Sequence, residues 1–297
     1  MAGCASQSKP LTFGVIADVQ YADKDTENGR YYRNSLAGLV FFVRQCNGQR
    51  VNFAVQLGDL IDGGANAGRE LDYALTVYEQ LNCPRYHVLG NHDFEGLRRL
   101  SVLKRLKLER GYYTVEKGGI LFVVLDTQDV AVQGGWPKNS VAYKKAEELL
   151  QKALERKSPN AQPYNGSLGN QQLVWLDGVL AEAQKNHQDV IVFGHLPLLP
   201  DTDKHTAWNA GDARKILARY GCVRAYLCGH NHAGGYAREN GIHYITLPGA
   251  VDSPDGRTWA TVQVWPDRME IQGTGNIKNQ TLVFEEKSEI KTTSKNN

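Results

Sequence analysis

Five short apolar runs in this 297-residue chain each stop at a side chain that can ligate a divalent metal. The first, Phe13-Gly14-Val15-Ile16-Ala17, reads as a buried strand and ends at Asp18 and Gln20, a carboxylate and an amide two residues apart. The others are FAVQLGDLID (Phe53 to Asp62), YHVLGNHD (Tyr86 to Asp93), VIVFGH (Val190 to His195) and RAYLCGHNH (Arg224 to His232). In each of these the run gives way to Gly followed by Asp, Asn or His. In a sheet whose strands finish along one edge, such tips converge on one crevice. Singly they say little, because an Asp after a strand serves equally as a turn residue and a His in a chain with eight is ordinary. The ordered set D-x-Q, G-D-x-x-D, G-N-H-D, G-H and G-H-x-H is what points to a metal centre.

Strand-like and helix-like segments alternate around these tips. Leu36, Leu39, Val40 and Val43 recur at helical spacing within about 30 to 45, followed by a strand at 51 to 57, a helix at 69 to 82 and a strand at 86 to 89. A helix or turn at 94 to 106 and a strand at 120 to 126 come next. Further on lie a helix at 171 to 183, a strand at 190 to 193, a helix at 210 to 219 and a strand at 223 to 228. This alternation predicts an α/β layered fold. The last segments, 242 to 247, 258 to 265 and 268 to 273, are short and joined by turns, which implies hairpins and therefore mixed sheets. The chain divides into a flexible N-terminus (1–10), a single domain (11–284) and a flexible tail (285–297). An excursion at 127 to 168 reads equally as a lid or as a surface elaboration.

Charge narrows the partners. Lys and Arg (34) nearly balance Asp and Glu (32) and are scattered, so neither nucleic acid nor an anionic membrane is an expected partner. Five cysteines without a C-x-x-C pair indicate neither a disulfide framework nor a thiolate zinc site. No apolar run approaches the ~20 residues of a membrane span, and the opening MAGCASQSKPLTF lacks the apolar core of a signal peptide. A cytoplasmic monomer is the expectation.

The set of tips resembles the calcineurin-like metallophosphoesterases over about residues 11 to 250, and the helix around Gln172-Leu173-Val174-Trp175-Leu176 is similar to theirs as well. The resemblance implies a four-layer αββα sandwich of two mixed sheets with a dimetal site at the C-terminal ends of the strands. Carried over by position, Asp18, Gln20 and His232 would hold one metal, Asn91, His195 and His230 the other, and Asp59 would bridge them. A hydroxide between the ions would be the nucleophile. The family assigns His92 to the leaving oxygen, and Asp62 is expected to orient it by accepting a hydrogen bond from its other nitrogen.

One position departs from the general family pattern: Gln20 stands where most members have His. An amide oxygen is a harder, weaker donor than imidazole, which favours Mn²⁺, with Mg²⁺ second, over tightly held Zn²⁺ or Fe. FGVIADVQYAD, LGDLIDG, LGNHDF, FGHLPL and CGHNHAGGY together look like one subgroup, the manganese-dependent ADP-ribose/CDP-alcohol diphosphatases. That implies a small-molecule substrate: ADP-ribose, cleaved to AMP and ribose 5-phosphate, or CDP-choline, CDP-ethanolamine and CDP-glycerol, cleaved to CMP and the phosphoalcohol. The rivals are another metallophosphoesterase activity (phosphomonoesterase, protein phosphatase or cyclic-nucleotide phosphodiesterase) and a non-catalytic scaffold on the same fold. Trp136, His205, Trp208 and Tyr236 lie in loops that could stack on a base or serve as packing anchors. Cys228 is expected to meet the site only through its backbone.

Overall fold

The computed structural model describes residues 9–285, so the two terminal segments read as flexible fall almost entirely outside the described residues. In chain order the first half holds β1 (Leu11–Ile16), α1 (Tyr32–Gln49), β2 (Phe53–Gln56), α2 (Ala67–Tyr78), β3 (Arg85–His87), α3 (Arg99–Arg105), β4 (Tyr113–Lys117), β5 (Ile120–Val124), β6 (Val130–Ala131) and α4 (Val141–Glu155). The second half holds β7 (Gly166–Ser167), α5 (Asn170–Lys185), β8 (Val190–Phe193), α6 (Ala210–Leu217), β9 (Val223–Cys228), β10 (Gly235–Glu239), β11 (Ile242–Thr246), β12 (Trp259–Val264), β13 (Arg268–Thr274) and β14 (Gln280–Val283).

Two six-stranded mixed sheets result. The first runs β14-β13-β12-β1-β2-β3 and the second β10-β11-β9-β8-β5-β4. In the first, β1, β2 and β3 are parallel and the C-terminal hairpin strands join antiparallel through β12. In the second, β5, β8, β9 and β11 are parallel, with antiparallel β4 and β10 at the edges. Every strand that carries a ligand candidate is among the parallel ones, so all the tips emerge at the same end.

Three apolar layers separate the elements and give the expected αββα order. Phe13, Phe53, Phe122 and Phe193 interlock between the sheets, Phe13 on Phe53 with centroids 4.9 Å apart and Phe122 on Phe193 at 5.7 Å. Leu39, Phe42 and Val43 of α1 and Leu71, Ala74 and Tyr78 of α2 cover the outer face of the first sheet. Leu176 and Leu180 of α5 with Ala213 and Leu217 of α6 cover that of the second. Because the parallel strands are covered on both sides, they read as continuous apolar runs and were legible as such. The edge strands β4, β10 and β14 escaped the pattern reading, since half of each faces water.

A charged pair inside the structure fixes where the excursion leaves the sheet. Arg99 and Asp126 form a buried ion pair, and Arg99 Nη1 also donates to the carbonyls of Gln128 (3.1 Å) and Gly134 (2.9 Å). The guanidinium lies over the rings of Phe94 (4.9 Å) and Trp136 (4.6 Å). Removing either charge leaves the other buried and unpaired, the costly case. Arg99→Met is therefore expected to lower unfolding free energy by about 3 to 5 kcal/mol, read from the shift of the urea midpoint; an unchanged midpoint would show that the pair is not needed.

Candidate metal centre

The turn after β1 and the turn after β2 are zipped together by backbone hydrogen bonds, Asp18 N to Gly58 O (3.2 Å), Gln20 N to Asp59 O (2.8 Å) and Tyr21 N to Leu60 O (3.1 Å). Asp18, Gln20 and Asp59, with His230 after β9, all have left-handed backbone (φ 52, 42, 53 and 68°). Non-glycine residues adopt that conformation only where the surroundings impose it, commonly at functional sites. Here it turns side chains from neighbouring positions toward one point. Gly90 lets the third tip approach, because a Cβ there would lie 2.0 Å from Asp59 Oδ1.

The seven ligand candidates named from sequence meet. Asp59 Oδ2 lies 3.2 Å from Gln20 Nε2 and 3.3 Å from His195 Nε2. His195 Nε2 is 3.3 Å from Asn91 Oδ1, and the rings of His195 and His230 are 4.9 Å apart. On the other side His232 Nε2 is 3.5 Å from Asp18 Oδ1 and 3.4 Å from Gln20 Nε2. Asp59, His195 and His230 by themselves bring ligand atoms within 4.8 Å of one another.

Their outward atoms are held by the protein. His195 Nδ1 donates to the Leu57 carbonyl (2.8 Å), His230 Nε2 to Asn165 Oδ1 (3.0 Å), and His232 Nδ1 to both Asp252 oxygens (3.1 Å each). Asn91 Nδ2 donates to Gln133 Oε1 (3.3 Å), which leaves Asn91 Oδ1 facing inward. Such outer contacts set tautomer and orientation in metal sites. Asp93, the last residue of G-N-H-D, accepts the backbone N–H groups of Asp59 (3.1 Å), Leu60 (2.8 Å) and Gly90 (2.9 Å), tying the second tip to the third.

Protonation follows from burying carboxylates beside imidazoles. Burial works against the Asp59 carboxylate, yet His195 and His92 hold its pKa far below the usual range. Burial also opposes charge on His195 and His232, but Asp59 raises the first to about 9, and contacts with Asp18 and Asp252 raise the second to about 10. His230, desolvated and next to His195, is held well below an ordinary imidazole. Burial and the Asp59 charge push Asp93 up to about 7. The raised pKa values of His195 and His232 thus set positive charge beside the buried carboxylates at neutral pH.

The donor set fits divalent metal. Four oxygen donors (Asp18, Gln20, Asp59, Asn91) and three imidazoles (His195, His230, His232), with no thiolate, suit a hard to borderline ion such as Mn²⁺. Gln20 Oε1 is buried without a hydrogen-bond partner among the described residues, a free donor of the kind a metal would satisfy.

His92 sits at the rim. Its backbone N–H donates to Asp59 Oδ1 (2.8 Å), and Nδ1 donates to the backbone carbonyl of Asp62 (2.8 Å). Asp62 thus orients the ring through its main chain. Its carboxylate is 3.7 Å away and paired with Lys24 Nζ at 2.5 Å. The nearer carboxylate is Glu95, 3.3 Å from Nδ1. Burial disfavours the imidazolium, but Asp59, Glu95 and Asp62 raise its pKa to about 9.

The excursion flanks the centre at both ends, with Gln133 on Asn91 and Asn165 on His230. Of the four aromatic candidates only His205 stands at the centre, 5.6 Å from the His230 ring, stacked with Tyr164 and bonded to Asp203. Trp136 donates Nε1 to the Asp129 carbonyl and Tyr236 bonds His243, both packing roles, and Trp208 is tied by its backbone to Gly166. Cys228 turns its sulfur to Thr246 and Ile245. Asn165, Asp252, Glu95 and Gln133 belong to no strand-tip motif and carry no local signal in the sequence, whereas Asp93 closes G-N-H-D.

The model of the calcineurin-like phosphoesterase family matches residues 11–234. A manganese-dependent ADP-ribose/CDP-alcohol diphosphatase from Oryza sativa subsp. japonica is 33% identical, with 95% of this chain and 97% of that protein covered. Its namesake from Homo sapiens is 30% identical, with 94% of each covered. A crystal structure of a dimetal phosphatase from Danio rerio superposes with a TM-score of 0.86 at 31% identity, over 94% of this chain and all of that one.

Because ligation needs neutral imidazole while His195 and His232 hold protons at neutral pH, loading must displace protons and strengthen as pH rises. Calorimetric Mn²⁺ titrations are expected to give tighter binding between about pH 6 and about pH 9, with about two protons released per loaded centre near neutrality. Affinity independent of pH would contradict these proton positions.

Proposed function

The chain belongs to the calcineurin-like phosphoesterases, and from that membership we propose that it is a manganese-dependent hydrolase of the diphosphate bond in ADP-ribose and CDP-alcohols. The observation that carries the dinuclear reading is the position of Asp59 Oδ2, shared between Gln20 on one side and His195 on the other. Asp18, Gln20 and His232 would hold one ion, Asn91, His195 and His230 the other, and Asp59 both. The substrate class rests on similarity along nearly the whole chain to proteins bearing that activity in their names. We also place the enzyme in the cytoplasm, where the thiols of Cys46, Cys83 and Cys228 stay reduced.

Water is added across P–O–P, giving AMP and ribose 5-phosphate from ADP-ribose, or CMP and a phosphoalcohol. Bound dications supply charge for the phosphoryl oxygens and lower the pKa of water. The protein does the rest. Asp59 and Asp18 would provide the negative charge to hold the ions, and the hydrogen bonds on the outward ring nitrogens keep His195, His230 and His232 in place. His92 keeps a proton at neutral pH and, with Nδ1 anchored on Asp62 and Glu95, offers Nε2 to the departing phosphate oxygen.

A panel of ADP-ribose, CDP-choline, cyclic AMP and a phosphopeptide, each with Mn²⁺ and with Mg²⁺, is expected to show Mn²⁺-activated hydrolysis of the two diphosphates; preference for the phosphopeptide or cyclic AMP would reject this substrate class. His92→Ala is expected to bind Mn²⁺ as tightly as the parent while losing about 100-fold in kcat on ADP-ribose. Undiminished turnover would mean the leaving phosphate departs without a proton from His92.

A further inference from the structure

The two halves of the centre are backed unequally. His195 Nδ1 donates to a backbone carbonyl, that of Leu57, and His230 Nε2 to a side-chain amide, Asn165 Oδ1. Asn165 Nδ2 donates in turn to the carbonyls of Asn160 (2.9 Å) and Lys204 (2.8 Å), which fixes its oxygen on His230. Both partners are neutral. His232 alone is backed by a carboxylate, with Nδ1 at 3.1 Å from each oxygen of Asp252.

Asp252 is built into place. It closes the turn Ala250–Asp252, in which Ala250 N donates to Ala17 O and Val251 N to Asp18 O, each at 3.0 Å. Gly249 N donates to His232 O (3.2 Å), and a Cβ at Gly249 would meet His232 Cγ at 2.6 Å, so the turn lies directly against the ring. The first tip and the last are joined through this turn. Among the described residues no lysine or arginine pairs with Asp252, so its charge acts on His232.

Charge follows the same division. Asp18 and, through His232, Asp252 add two carboxylates to the half that contains Gln20. The side chains of Asn91, His195 and His230 pair with no carboxylate but Asp59 among the described residues. A carboxylate behind a ligating imidazole makes it a stronger donor. For His232 this offsets the weak amide of Gln20 in the same half. Two dications repel each other, so the first to bind takes the half with more negative charge.

On the footing of the dinuclear reading above, we propose that Asp252 is a positioning residue that makes the two ion sites unequal: Asp18, Gln20 and His232 keep a resident ion, and Asn91, His195 and His230 an exchangeable one. The second half then sets the free Mn²⁺ concentration at which the centre becomes dinuclear.

The test is a calorimetric Mn²⁺ titration, with the electron-paramagnetic signal of free Mn²⁺ counting unbound ion, of the parent, Asp252→Asn, Asp252→Glu and Asn91→Ala. The parent is expected to bind two ions with Kd values at least about 10-fold apart. Asp252→Asn keeps the shape and removes the charge, and should weaken the tighter step about 10-fold while leaving the weaker one in place; the 35% exposure of Asp252 holds the effect to the low end for such partners. Asp252→Glu should keep the parent's separation, and Asn91→Ala should lose the weaker step alone. Two equal sites in the parent, a tighter step unmoved by Asp252→Asn, or loss of the tighter step in Asn91→Ala each overturns the inference and leaves the dinuclear reading standing. A parent that binds one ion or none sinks that reading, and this inference with it.

Discussion

Two carboxylates buried to within 1% of full exclusion from solvent, Asp18 and Asp59, place the strongest demand on this fold. An ionised carboxylate in a protein interior costs several kcal/mol unless opposite charge and hydrogen bonds surround it. The compensation comes from separate loops: the backbone N–H of His230 on both Asp18 oxygens, the backbone N–H of His92 on Asp59, and the imidazoles of His195 and His232. The same demand explains the left-handed backbone at Asp18, Gln20, Asp59 and His230, each position costing about 1 to 3 kcal/mol that the surrounding sheets must supply.

Supporting residues turn that demand into a rigid site. Asp93 gathers three backbone N–H groups from two tips, so the bridging candidate Asp59 and the ligand candidate Asn91 move as one unit. Leu57, Asn165 and Asp252 each hold the outward nitrogen of one imidazole. His92 is oriented by the Asp62 carbonyl and flanked by Glu95, an arrangement that keeps a proton on the ring.

The excursion between β5 and α5 is neither a detached lid nor an ornament. Its first stretch is pinned by Arg99 through the carbonyls of Gln128 and Gly134 and delivers Gln133 to Asn91. Its last delivers Tyr164 and Asn165 to His230. A short antiparallel pairing of β6 with β7 closes it between those two points. Both flanks of the centre are therefore made by residues far in sequence from the strand tips that carry the ligand candidates.

Local chemistry was enough to read the parallel strands and the ligand candidates. Apolar runs such as Phe53 to Leu57 and Val190 to Phe193 are continuous because both faces are covered, and each stops at Gly and a donor because the backbone must turn there. The edge strand β4, with alternate residues in water, carried no such mark. Long-range contacts decided the rest. Asp62 meets His92 through its carbonyl while Lys24, 38 residues earlier, holds its carboxylate. Asn165 and Asp252 become partners of ligand candidates 65 and 20 residues distant only in the folded chain. A spacing along the chain reports which side chains can bind a metal, whereas the atoms that hold those side chains in place are chosen by the packing of elements that have no fixed separation in sequence.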